Sequence, residues 1–244
     1  MGLAAVALTP YWLVQSLRHG KYLANLGERL GFSFPGLLGG ATEKADDAVA
    51  EGVPAENLAG AGEKGARFPS FTGAGRKRPL QRPDGAIWLH AVSVGEVLSS
   101  VELARRLKAA YPERPLIIST TTSTGQALAR ERMTFADGFL YFPLDLAFAV
   151  RRALAGVRPA AVVIVETEIW PNFLREAAKA GVPVAFVSGR ISDRSFARYQ
   201  KYFGLAGFYL RPLLRATLGF GKAFLMQSET DAERIRELGA PGNQ

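Results

Sequence analysis

The sequence predicts an α/β fold, a parallel sheet with helices on both faces, and three observations lead there. Short apolar runs rich in Val, Ile and Leu recur from Ile87 onward, each too short for a helix and each bounded by Gly, Pro, Ser, Thr or Asp. Between them lie stretches whose apolar residues recur at helical spacing, so strand and helix alternate along the chain. The run from Ala160 to Val165 holds only small or β-branched residues, the composition of a strand covered on both faces. Alternation with short connections implies parallel strands joined by right-handed crossovers.

The elements follow in order. Ile87–Ala91 is the first strand, and Glu96–Tyr111 carries helical periodicity through Val97, Val101, Leu103, Ala104 and Leu107. Leu116–Thr120 is the second strand, closed by a Thr/Ser cluster suited to capping a helix over Thr124–Met133. Phe139–Phe142 is the third strand, followed by a helix from Leu146 to Ala155. After the fourth strand, Trp170–Ala180 is helical, with Pro171 in its first turn and Gly181 past its end. Val184–Val187 is the fifth strand; Phe224–Gln227 is a sixth, with Thr230–Leu238 as its helix. In such a Rossmann-like sheet the ligand lies beyond the carboxyl ends of the strands.

Upstream of the sheet the composition changes twice. In the N-terminal segment 1–20, Met1 to Leu17 is almost wholly apolar, interrupted by Pro10, and Arg18, His19 and Lys21 follow at once. Positive charge after the apolar stretch is the wrong order for a signal peptide. A partial membrane anchor, an interfacial helix and a buried helix all remain open, and Tyr11 and Trp12 favour the membrane-proximal readings. Basic residues on the carboxyl flank of an anchor would keep the rest of the chain cytoplasmic. Residues 21–34 read as an amphipathic helix, and residues 35–84 as a flexible Gly- and Ala-rich insert without sustained apolar periodicity. The insert contains Gly60-Ala61-Gly62-Glu63-Lys64-Gly65, which fits the GxGxxG pattern. With no strand before it and no amphipathic helix after it, that match carries no dinucleotide site.

Composition narrows the function classes. The chain of 244 residues is 48% apolar and 21% charged, ordinary values for a protein with a buried core. Its formal charge of +8 suits anionic partners such as phosphorylated small molecules or an acidic membrane surface. Nucleic acid is the weaker match, because aromatic residues do not interleave with the basic ones. With no Cys and two His, the chain offers no thiolate site and a poor basis for a His-ligated metal, so no metal and no cofactor are expected.

Three stretches at strand ends could carry chemistry. In His90-Ala91-Val92-Ser93-Val94-Gly95-Glu96, Glu96 falls in a first helical turn, where free N–H groups favour an ionised carboxylate. Ser93 and Gly95 permit a tight turn with backbone donors toward a ligand. The alternative is that Glu96 only completes a capping box behind Ser93. In Glu166-Thr167-Glu168-Ile169-Trp170-Pro171-Asn172, two acids spaced i, i+2 after an extended run point to one side; the alternative is a pair of helix-terminal acids. In Ser188-Gly189-Arg190-Ile191-Ser192-Asp193-Arg194, the arginines suit phosphate or carboxylate. Arg198, Lys201, Arg211 and Arg215 continue the basic character, or form a solvated helix face. A hydrolase with Ser93 as nucleophile is excluded by chain order, since no His follows that residue.

HAVSVGE, the FPLD of Phe142 to Asp145, ETEIWPN, GRISDRSF and the MQSETD of Met226 to Asp231 occur in the order and spacing of the Kdo (3-deoxy-D-manno-octulosonic acid) transferase family, which the chain resembles from about Leu26 to its end apart from the insert. The resemblance implies an inverting glycosyltransferase with two Rossmann-like domains, the GT-B arrangement, that uses CMP-Kdo as donor and a lipid A precursor as acceptor. It makes Glu96 the proton acceptor and Glu166 a transition-state stabiliser. Ser93, Gly95, Glu168, Arg190 and Ser192 then contact substrate. It also implies residence on the cytoplasmic face of the bacterial inner membrane.

The third motif departs from the usual NARLS: Ser188, Gly189 and Ile191 replace Asn, Ala and Leu. The chain closes at Gly242-Asn243-Gln244, before the interdomain strand that supplies a Lys in the family. Residues 85–244 are thus expected to form the acceptor-binding half, without the donor domain and inactive by themselves. The alternative is a catalytically silent module that binds an anionic lipid or phosphosugar through the same basic cleft.

Overall fold

A computed structural model describes residues 25–34, 37 and 85–242, the side chains of 202–207 and 209 excepted. The apolar segment 1–20, the start of the 21–34 stretch and, Leu37 aside, the insert 35–84 lie outside the described residues.

The described elements are α1 (Leu26–Arg29), β1 (Ala86–His90), α2 (Val94–Ala110), β2 (Leu116–Thr120), α3 (Ser123–Arg132), β3 (Gly138–Tyr141) and α4 (Ala147–Val157). After these come β4 (Pro159–Val165), α5 (Pro171–Lys179), β5 (Val184–Gly189), α6 (Asp193–Leu218), β6 (Ala223–Met226) and α7 (Glu229–Leu238). The six strands form one parallel sheet in the order β3-β2-β1-β4-β5-β6. Every strand expected from the apolar runs is present, within two residues of its expected bounds.

Side-chain alternation splits the core into two layers. Along β1, Trp88 faces a layer with Phe142, Phe173, Phe186 and Leu174. Ile87 and Leu89 face the other, with Val97, Ala104, Ile118 and Met133. Trp88 is fully buried, its ring edge-on to Phe173 at 5.4 Å, and its Nε1 donates to Ser119 Oγ at 2.7 Å. The indole thus fills the layer without leaving a buried donor unpaired.

Of the stretch 21–34, residues 25–34 are described: they hold one helical turn, and their burial runs opposite to amphipathic logic, with Arg29 1% exposed and Phe32 67%. Polar contacts explain the inversion. Glu28 Oε1 accepts the N–H of Tyr141 on edge strand β3 at 2.8 Å, and Arg29 donates to the Thr121 carbonyl and lies over the Tyr141 ring. The carboxylate occupies a donor that would otherwise stay open at the sheet edge. The Arg-rich stretch after Ser192 is a 26-residue helix, α6, in keeping with the helix-face alternative for its basic residues. Gly204, Gly207 and the interior Pro212 obscure its period in the sequence, while Phe196, Tyr199, Leu210 and Leu214 pack it on the core.

Among the described residues, no helix is long and apolar enough to cross a membrane.

Candidate functional site

Strand order reverses between β1 and β4, and this switch point is where an open parallel sheet leaves a crevice at its carboxyl edge. The turn after β1 delivers Glu96; the turn after β4 delivers Glu166 and Glu168.

Glu96 is held by its own turn. Ser93 is the N-cap of α2, and its hydroxyl donates to Glu96 Oε1 at 2.8 Å. The Val92 N–H donates to Glu96 Oε2 at 2.8 Å. Glu96 therefore closes the turn as a capping group, and its carboxylate stands at the switch point. Burial raises the Glu96 pKa above the ordinary carboxylate value; the Val92 and Ser93 hydrogen bonds pull the other way, and the Glu166 charge adds to the rise. Gly95 is exposed, and a Cβ there would meet nothing nearer than Ser93 Oγ at 3.9 Å, so the turn is open to a ligand.

The second motif converges on the first, although by a different route from the i, i+2 geometry of an extended chain. β4 ends at Val165, and Glu166 turns away in the left-handed region at φ 61°. Its N–H donates to the Val187 carbonyl at 2.8 Å, and its side chain is exposed. Glu168 is half-buried, and burial lifts its pKa to about 7, with the charges of Glu96 and Glu166 adding to the rise. Tyr199 of α6 stands close enough to feel both Glu168 and Arg198; burial raises its pKa.

The third motif borders this group. Arg190 is exposed, and its charge acts on Asp231 rather than on Glu96 or Glu168. Its backbone N–H donates to Thr167 Oγ1 at 2.9 Å. Ser192 is the N-cap of α6 and accepts the Ser195 N–H at 3.2 Å. Asp231 accepts the Ile191 N–H at 2.7 Å and caps α7 together with Ser228. Gln227 binds the Ser188 and Gly189 carbonyls through Nε2 and its backbone N–H, at 3.0 and 2.9 Å.

Sequence reasoning left three residues without a role. Asp145 of FPLD accepts the N–H groups of Asn172 and Phe173 at 3.1 and 2.8 Å, and so caps α5 from outside. Thr167 and Tyr199 border the carboxylates; the signal available for Thr167 was its place between two acids. His90, in contrast, belongs to the core. It is fully buried and stacked on Phe142 at 3.8 Å, and burial holds it neutral, with its pKa lowered to about 3.

Among the described residues, no group of three or more His, Cys, Asp or Glu is arranged to hold a metal. A cavity of about 960 Å³ lies at the opposite edge of the sheet, against Gly85, Pro115, Arg158 and Pro159, and none of the residues above lines it.

Residues 62–244 match the family described as 3-deoxy-D-manno-octulosonic-acid transferase (kdotransferase). A bifunctional glycosyltransferase/methyltransferase of Fusobacterium nucleatum is 36% identical over 156 residues, 63% of this chain and 23% of that protein. The 3-deoxy-D-manno-octulosonic acid transferase of Haemophilus influenzae is 37% identical over 121 residues, 49% of this chain and 28% of that protein. The enzyme of that name from Bordetella pertussis is 33% identical over 186 residues, 73% of this chain and 38% of that protein. The chain therefore spans between 23% and 38% of the length of these relatives. With three quarters of its length matched, 183 of 244 residues, the chain belongs to the Kdo transferase family.

Proposed function

We propose that the intact protein transfers Kdo from CMP-Kdo to a lipid A precursor with inversion at the sugar, in lipopolysaccharide synthesis, and that this chain is its acceptor-side half. One observation carries the proposal: a buried carboxylate, Glu96, is fixed by two hydrogen bonds at the switch point, beside two further carboxylates. In an inverting transfer the acceptor hydroxyl attacks the anomeric carbon, CMP leaves, and one carboxylate takes the hydroxyl proton. Glu96 suits that role because burial has raised its pKa, and a more basic carboxylate is a better proton acceptor. No covalent sugar–enzyme intermediate is required, so Ser93 serves as a cap and a contact and not as a nucleophile.

Glu166, exposed at the crevice, stabilises the transition state. Ser93, Gly95, Glu168, Arg190 and Ser192 contact the substrates. The anionic partner is an acidic membrane surface on the cytoplasmic side of the inner membrane. Arg194, Arg198 and Lys201 support this partner, because their spacing sets them on one face of α6. Phe208, 85% exposed, falls on the same face.

The test is transfer by the full-length protein, followed as CMP release together with Kdo appearing on a lipid A precursor. Release of CMP only by water, or no release at all, would overturn the proposal. Membrane attachment is read separately, as vesicle binding that rises with anionic lipid and weakens with salt.

A further inference from the structure

Two residues beside the carboxylates hold backbone conformations that residues with side chains avoid. Glu166 leaves β4 at φ 61° and Ser188 turns within β5 at φ 53°. Such conformations persist where the surroundings over-determine them, and they concentrate at functional sites. Here the surroundings can be named. The Glu166 N–H is bound to the Val187 carbonyl at 2.8 Å, and Gln227 holds the carbonyls of Ser188 and Gly189. Between these anchors lies one contact that joins the two turns directly: Thr167 Oγ1 accepts the Arg190 N–H at 2.9 Å. Gly189 leaves room for it, since a Cβ there would stand 3.3 Å from Thr167 Oγ1 and 2.5 Å from Met226 Sδ.

We propose that Thr167 is a positioning residue of this site: its hydroxyl latches the turn carrying Glu166 and Glu168 to the turn carrying Arg190, and so fixes where those carboxylates stand relative to Glu96. Left-handed strain and a single hydrogen bond are of the same order, so losing the bond leaves the Glu166 turn held by its Val187 contact alone and lets it shift. Thr167 sits between the two acids it positions. A swing of the Glu166 backbone would therefore carry both side chains with it.

The effect on rate rests on the function proposed above; the latch itself does not. The experiment compares Thr167→Val, which keeps the shape and loses the hydroxyl, with Thr167→Ser, which keeps the hydroxyl. In the 244-residue chain, amide hydrogen exchange at Arg190 and the carboxyl resonances of Glu166 and Glu168 report the latch. In the full-length enzyme, kcat and KM report its consequence.

Thr167→Val should speed exchange at Arg190 and shift both carboxyl resonances. It should lower kcat by roughly tenfold with little change in the acceptor KM, the pattern expected of a misplaced catalytic group. Thr167→Ser should restore all of these. Unchanged exchange in Thr167→Val would show that there is no latch. Fast exchange with wild-type kcat would show that the latch positions nothing used in turnover, and failure of Ser to rescue would assign the loss to packing. A wild-type enzyme that transfers no Kdo would sink the proposed function instead. The latch would then stand or fall on exchange and carboxyl resonances alone.

Discussion

Asp145 caps a helix to which it does not belong: its carboxylate accepts the backbone N–H groups of Asn172 and Phe173, while Asn172 Nδ2 returns a hydrogen bond to the Asp145 carbonyl at 2.7 Å. The N-cap residue of α5, Trp170, has no side-chain acceptor to offer, and Pro171 at the first position has no N–H. The acid therefore arrives from the loop after β3. FPLD and ETEIWPN are thereby joined, and the turn carrying Glu166 and Glu168 is tied at its far end to a separate part of the sheet.

Asp145→Ala should therefore destabilise the domain more than an ordinary surface change. It leaves the Asn172 and Phe173 N–H groups without their acceptor, and loss of a capping acid costs about 1–2 kcal/mol. Asp145→Asn should recover part of that loss, since an amide oxygen still accepts. Urea unfolding of the three proteins checks the order wild type, Asn, Ala. Equal stability of the Ala variant and wild type would remove the capping role.

For Glu96 the informative change is Glu96→Gln in the full-length enzyme. The amide keeps the size of the side chain; its oxygen can accept from the Val92 N–H while its NH2 faces Ser93 Oγ, but it cannot take a proton from the acceptor. Turnover should fall on the order of 10²-fold or more, with acceptor affinity little changed. Ser93→Ala is the counterpart: it removes the N-cap of α2 at about 1 kcal/mol of stability and leaves appreciable turnover. Wild-type turnover by Glu96→Gln would end the catalytic assignment.

Two groups with large shifts should contribute to the pH dependence of stability with opposite sign. Glu168 has its folded pKa raised from 4.5 to about 7, so the folded state binds more protons than the unfolded chain in that window. Stability from this group therefore falls as pH rises from about 4.5 to about 7. His90 has its folded pKa lowered from 6.5 to about 3. The unfolded chain binds more protons there, so stability rises with pH across that window. The slopes oppose each other where the windows overlap. Glu168→Gln removes one of them, and chemical denaturation at several pH values should then show a steeper loss toward acid. An unaltered pH profile would mean that Glu168 does not titrate in this range.

Ser188 adopts the left-handed conformation that Asn tolerates better than other residues with a Cβ, and Asn is the usual residue of the resembled motif at this position. Ser188→Asn should raise stability by about 0.5 kcal/mol, and Ser188→Gly by a similar amount less its entropic cost. A drop in melting temperature for both variants would show that the Ser hydroxyl matters more than the backbone.

The sheet, and the strand ends at which its candidate site lies, were legible in the sequence itself. Each strand is a short apolar run bounded by turn residues, and each of α2, α3, α4, α5 and α7 has a local signal in its periodicity or its caps. These are nearest-neighbour properties, so Glu96 and Glu166 could be set at the carboxyl edge before any tertiary contact was known. What the tertiary structure decided depends on residues far apart in the chain. Asp145 reaches Asn172 across 27 positions, Thr167 reaches Arg190 across 23, and Glu28 reaches Tyr141 across 113. The raised pKa of Glu168 arises from burial and from charges on other turns, neither of which is written at position 168. The helix α6 is held by packing against the core despite its Gly and Pro residues, because buried contacts outweigh local propensity.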